Sequence, residues 1–301
     1  PNLRGWGRKK RWEYWGLVSE THLVGLTIAS LDYAGLLHIY VLDRRDGSHF
    51  SEERVLPFGI GVRLDDTLEP GRAEALGRLK MAFIEEEIAR EANGRRQTRI
   101  VAEGKRIQVD AVATSRGEAL GVVVPWSDVR FQYTLKDVAR TLEGTVRIDE
   151  EEITLQGDSC FAVLDRGRGK WPRQIVWNWA AGFGVIGGRS IGLQLGGKWT
   201  DETGSTENAI FVDGKLHHLS EAMRWEYQRS DPKGTWRIRS EHIDAALTPF
   251  HLRHEKTDLW LIRSETHQAF GTWKGVARLE EGEEISLDGL IGWAEEASHL
   301  W

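Results

Sequence analysis

One cysteine in 301 residues, Cys160, excludes an internal disulfide and a cysteine-based zinc site. So thiol-poor a chain suits a reducing compartment, and a cytoplasmic location is expected. No apolar run approaches the ~20 residues needed to cross a bilayer as a helix, so no transmembrane segment is expected. There is no basic block, and the net charge is −6, which argues against nucleic acid as the partner. The start shows no basic-then-apolar leader. No GxSxG elbow exists for a Ser-His-Asp hydrolase. HExxH, HxH and EF-hand patterns are also missing. His217 and His218 are adjacent, so on a strand their rings point to opposite faces, and His251 and His254 have no third ligand nearby in sequence. No metal site is therefore expected.

What the chain has in excess is tryptophan, 14 against 5 Tyr and 9 Phe, half of them from Trp126 to Trp236. Indoles suit half-buried pleated surfaces and carry a polar N–H. The dominant hydrophobic period is two. HLVGLTIASL, residues 22–31, reads as a strand buried on both faces. In RIQVDAVA, residues 106–113, Ile107, Val109, Ala111 and Ala113 share one face and Arg106, Gln108 and Asp110 the other. Asp46-Gly47, Asn93-Gly94, Asp213-Gly214 and Asp288-Gly289 are hairpin-type turns, and Pro232-Lys233-Gly234 is another turn. Many short strands with frequent turns predict an all-β sandwich or barrel. Short helices are expected within residues 69–83 and 241–247. Mixed turn and strand signals near 125–145 suggest two β-domains, residues 1–135 and 136–301.

Seven motifs stand in one order along the chain: KRWEYW (10–15), LDYAGL (31–36), DRGRGKWP (165–172), WNWAAG (177–182), IGLQLGGKWTDETGSTENA (191–209), VDGKL (212–216) and FGTWKG (270–275). Together they resemble the bacterial and fungal family catalogued as domain of unknown function 2804, over nearly the whole chain. Asn2 to Trp6 resembles the end of an N-terminal segment of that family, so about 20 or more upstream residues are expected. The resemblance implies two lipocalin-like (calycin-like) antiparallel β-barrels or half-barrels with few short helices. It also implies distant kinship with carotenoid hydratase (hydroxyneurosporene synthase) and lipocalin-like cyclases, which hydrate or cyclise apolar polyenes without a metal or organic cofactor.

The residues add candidate sites. In QIVWNWAAGFGVIGG (174–188), Ile175, Trp177, Trp179 and Ala181 share one strand face and Gln174, Val176, Asn178 and Ala180 the other. Paired indoles lining a barrel cavity would hold an apolar or cationic guest, the latter by ~0.5–2 kcal/mol; in a filled barrel they are core, with Asn178 satisfying backbone. The glycines that follow have neither GxGxxG nor P-loop spacing and read as a hairpin at a barrel mouth. In TGSTENA (203–209), Glu207 opens a strand. A carboxyl desolvated among indoles is raised in pKa and can act as an acid; the alternative is a structural ion pair. Asn208 and Trp199 complete the ligand-binding candidates with Trp177, Asn178 and Trp179. Asp165, in a glycine-punctuated loop, is a second acid candidate or a turn brace with Arg168. His267 is a general base, a polar anchor or a structural histidine.

Three functions fit. The first is a cofactor-independent hydratase, isomerase or cyclase acting on a hydrophobic terpenoid, polyene or lipid. The second is a non-catalytic lipocalin-like carrier. The third is a glycan-active protein with a second carboxylate ~5–9.5 Å from the first. The partner is a hydrophobic small molecule in the first two, and the sequence is silent on oligomeric state.

Overall fold

The computed structural model describes residues 7–65, 71–87, 95–259 and 262–300. The chain is all-β, about 70% strand, in two antiparallel sheets that form a near-barrel and a half-barrel. It separates into two compact units: Pro1–Gly121 with Gln132–Lys170, and Val122–Phe131 with Trp171–Trp301.

The first sheet contains β1 (Lys9–Val18), β2 (His22–Ser30), β3 (Ala34–Asp43), β4 (His49–Pro57), β5 (Val62–Leu64), β6 (Arg72–Ala75) and β7 (Lys80–Glu87). It continues with β8 (Arg96–Glu103), β9 (Ile107–Thr114), β10 (Leu120–Ser127), β11 (Arg130–Ile148), β12 (Glu151–Leu155) and β13 (Phe161–Lys170). Its order is β4-β3-β2-β1-β13-β11-β9-β8-β7-β6-β5, with β10 and β12 each pairing β11 off this path. The boundary expected after residue 135 falls inside β11, and the compact units change at 170/171 instead. The reason is pairing: β13 bonds to β1 along its whole length, which ties residues 161–170 to the first sheet.

The period-two reading holds here. β2 is buried on both faces but for Thr27 and Ser30. In β9 Ile107, Val109, Ala111 and Ala113 are buried and join the core with Trp15, Leu17, Leu26 and Ile39. Fully burying a side chain such as Leu26 contributes roughly 1.5–3 kcal/mol. No helix is present among the described residues. Residues 72–75 and 80–87 are strands rather than a helix, and so are 243–247. Local helix propensity in these short segments is overridden by ladder pairing to β7, β8 and the late hairpin.

The second sheet contains β14 (Gln174–Ile186), β15 (Arg189–Gly197), β16 (Asn208–Val212), β17 (Lys215–Leu219) and β18 (Arg224–Glu226). β19 (Trp236–Arg239), β20 (Ile243–Leu259), β21 (Ile262–Arg278), β22 (Glu284–Ser286) and β23 (Ile291–Leu300) complete it. The order is β17-β16-β15-β14-β23-β21-β20-β19-β18, with β22 on β21. Asp213 (φ 51°) and Gly214 (φ 82°) turn β16 into β17, and Gly187 and Gly188, also at positive φ, turn β14 into β15. Gly182 and Gly184 lie within β14 rather than in a connection. A Cβ at Gly182 would stand 2.7 Å from the Trp273 ring, so glycine is needed for close packing there. Asn93-Gly94 and residues 1–6 lie outside the described residues.

Candidate functional site

Strand parity divides the second sheet into two chemically different faces. On β14 it is Ala180 that joins the apolar cluster with Ile191, Leu193, Leu195, Trp236 and Trp273. Asn178, two residues away, shares that core face, and Trp177 and Trp179 point to the other. Trp177 and Trp179 thus share one face and Asn178 the other, as their alternation requires. Gly182 on the Asn178 face leaves room for the Trp273 ring.

The face carrying Trp177 and Trp179 is buried too: Ala181, Phe183, Phe270 and Trp293 pack on it, and polar and indole side chains continue from them. One cross-strand row runs Gly196, Trp179, Glu295, Gln268 and Arg253. Trp177 Nε1 donates to Glu295 Oε1 at 2.9 Å, and Gln268 Nε2 donates to Glu295 Oε2 at 3.0 Å. Trp179 Nε1 donates to Gln194 Oε1 at 2.9 Å, and Gln194 Nε2 donates to the Glu207 carbonyl at 3.2 Å. Trp199 Nε1 donates to Glu207 Oε1. Glu207 is 1% exposed, which makes it a deeply buried carboxylate in an aromatic setting. It fits only because residue 196 is glycine: a Cβ there would lie 2.1 Å from Glu207 Oε1. Beside it the indoles continue, tilted at Trp126–Trp199 and edge to face beyond. Trp126 lies 6.0 Å from Trp199 and 6.1 Å from Trp171, and Trp171 lies 6.0 Å from Trp177. Trp126 and Trp177 are half-buried and the others are buried. His299 stacks on Trp177 at 4.6 Å.

The core face carries its own polar row, Asn178, Glu296, His267 and His254, one step beyond the apolar row Ala180, Ala294, Ala269 and Leu252. Asn178 Nδ2 donates to Tyr227 Oη at 3.0 Å and to the Glu295 carbonyl at 3.1 Å. Tyr227 Oη, Lys198 Nζ and Arg229 all reach the Glu296 carboxylate, and Lys198 Nζ also donates to Tyr227 Oη at 2.8 Å. Lys198 holds a left-handed φ of 66°, a conformation uncommon for a non-glycine residue. Asn208 is architectural in its contacts: its Oδ1 accepts from Gly196 N at 2.8 Å and its Nδ2 donates to the Glu221 carbonyl at 3.0 Å. His267 Nε2 lies 3.3 Å from Glu265 Oε1. Burial, then the neighbouring His254, lowers the His267 pKa, so the ring is neutral at pH 7.

Asp165 lies in the first unit, within β13 rather than in a loop. Lys136 Nζ pairs with it at 2.9 Å and Thr134 Oγ1 donates at 3.2 Å. Lys136 is the brace that Arg168 was expected to be, because residues three apart on a strand face opposite sides. A 340 Å³ cleft in the same unit is lined by Lys9, Arg11, Asp32 and Arg63. Its charge does not suit an apolar guest.

The structure thus gathers Trp177, Trp179, Trp199 and Glu207 on one face. Asn178 and His267 sit on the other face, and Asp165 belongs to the other unit. Glu295, Gln194 and Gln268 are additions that the sequence reading missed. The signal was WAEEA, residues 293–297, where consecutive glutamates in an apolar strand must place one carboxylate on each face.

Three solved structures share the fold. A candidate AttH from Nitrosomonas europaea is 13% identical, with TM-score 0.56, covering 96% of this chain and 92% of that one. Kievitone hydratase from Nectria haematococca is 9% identical, with TM-score 0.54, covering 98% and 89%. CghA with Sch210972 is 13% identical, with TM-score 0.56, covering 97% and 88%. At these identities the likeness is one of fold. No curated protein matches the sequence. The family model described as domain of unknown function 2804 matches residues 2–301, and the chain belongs to that family.

Proposed function

We propose that the protein binds a hydrophobic small molecule, a terpenoid, polyene or lipid, against the indole face of the second unit and transforms it by acid/base chemistry of its side chains. The observation that carries this reading is Glu207, a carboxyl buried against Trp199 in a run of four neighbouring indoles. The half-buried Trp126 and Trp177 offer ring surface to a guest. Glu207 is the preferred acid over Asp165, whose charge Lys136 already balances.

The Glu207 carboxyl gives its proton to one alkene carbon, and the π pair forms the new C–H bond. The cation left on the neighbouring carbon lies against indole faces, which attract positive charge. Water adds there and returns a proton to the Glu207 carboxylate, which gives hydration. Attack by a second alkene of the same molecule, followed by proton loss, gives cyclisation. Glu295, on the same sheet face, is the second carboxylate. A hydratase and a protein crystallised with a small molecule among the structures of like fold are consistent with this class of function.

Native mass spectrometry of the gently purified protein, with organic extraction of its passenger, tests the reading and names the substrate class. Turnover of that compound by wild type and its loss in Glu207→Gln are the expected results. Equal turnover in both removes Glu207 from the mechanism, and binding without turnover in wild type makes the protein a carrier.

A further inference from the structure

We propose that His254, Glu265 and His267 form a binding site for a divalent transition-metal ion, zinc being the best-suited class, on the core face of the late hairpin. Sequence spacing hides this site, since His254 and His267 lie 13 residues apart, but β20 and β21 pair with His254 directly opposite His267. Directly opposed residues of an antiparallel pair share a face. Glu265, two residues before His267, points to that face as well. The three side chains offer ligand atoms that all lie within 4.8 Å of one another.

The three side chains already meet. The two imidazoles stack with centroids 4.2 Å apart and planes 12° from parallel. Both Nε2 atoms converge on the same oxygen, Glu265 Oε1, at 3.0 Å and 3.3 Å. Zinc bonds are ~2.0–2.2 Å to nitrogen and oxygen, so tetrahedral donors stand ~3.3–3.5 Å apart. Closing around an ion therefore asks for side-chain shifts of about 1.5 Å or less and a turn of the stacked rings toward a common point. Two imidazoles and a carboxylate are borderline ligands that suit zinc and its neighbours over calcium or magnesium. Three protein ligands leave a fourth position open to water or a ligand.

The surroundings admit an ion. His254 is exposed and His267 and Glu265 are partly so. The Glu296 carboxylate stands opposite His267 on β23, but Arg229 and Lys198 both pair with it, so its charge is already balanced and Arg229 opposes a cation there. Lys256, opposite Glu265 on β20, opposes cation binding, so the net attraction rests on the ligands themselves. This site lies on the sheet face opposite Trp177 and Glu207, so it stands or falls independently of the proposed function.

The test is calorimetric titration of the chelator-stripped full chain with Zn²⁺, with Co²⁺ absorbance as a second readout of coordination. One equivalent is expected, with a tetrahedral-type Co²⁺ spectrum. His254→Ala, at an exposed position that folding tolerates, and Glu265→Gln each weaken binding at least about tenfold. Absence of binding by wild type overturns the site, as does stoichiometric binding of unchanged affinity in His254→Ala. Circular dichroism of each variant confirms that loss reflects ligation and not unfolding.

Discussion

In the first unit the buried carboxylates meet cations. In the second, those on the indole face accept from indole and amide N–H groups. Glu85 takes Arg166 at 3.0 Å and Arg140 at 3.3 Å, and Arg140 Nε donates to Asp137 at 2.6 Å. Asp137 and Arg140 can meet on one side of β11 because Ala139 between them adopts a left-handed φ of 64°. Burial pushes Glu85 upward, but the Arg166 and Arg140 guanidiniums outweigh it and hold the carboxyl below the usual range. Burial dominates at Glu13 and Asp137 and raises both. Glu207 instead accepts from Trp199, and Glu295 from Trp177 and Gln268. The contrast is one of degree, because Glu13 in the first unit also accepts from an indole, Trp15 Nε1, at 2.8 Å.

The largest effect that can break this contrast is expected from Arg166→Met. It removes one of the two guanidiniums on Glu85 and a guanidinium beside Glu13, and should cost about 3–5 kcal/mol in urea unfolding; a loss under about 1 kcal/mol would show the network to be dispensable. Gly196→Ala pushes a methyl into Glu207 and should cost about 1–3 kcal/mol while abolishing turnover. Stability and activity equal to wild type would contradict the packing around Glu207.

Acid titration sharpens the comparison next. Glu85 has a folded pKa below its unfolded value, so its contribution is present above the unfolded carboxylate value of ~4.3 and is lost as pH falls through the folded value. Glu13, raised by burial, works the other way, and its cost grows as pH rises from ~4.3 through the folded value. Glu13→Gln should therefore stabilise the protein at pH 7 relative to pH 4, as read by urea midpoints at the two pH values. An equal effect at both would remove burial as the cause. The smallest stability effect is expected at half-buried Trp177. Its change to Ala should shift the urea midpoint little but weaken apolar-guest binding about tenfold.

The fold was legible in the sequence because its signals are local and repeated. Residues 106–113 alternate as their pattern requires, and Asp213-Gly214 turns as its residue types demand. The two segments expected as helices failed because their strand pairing is non-local: β6 needs β7, and the residues after 242 need β21. Parity placed Trp177 and Trp179 together, but it does not say how deeply each face is buried, and both faces of β14 pack against apolar side chains. The His254, Glu265 and His267 cluster was invisible for the same reason. It depends on the register of β20 against β21, including the shift between Pro249 and His251, and no spacing along the chain encodes that register.

The central claim is that the indole face of the second unit takes an apolar guest, and quenching of tryptophan fluorescence by a polyene such as retinal tests it most directly. The account predicts saturable, stoichiometric quenching in wild type and in His254→Ala, with affinity reduced about tenfold in Trp177→Ala. Quenching that never saturates, or that is identical in wild type and Trp177→Ala, would contradict it.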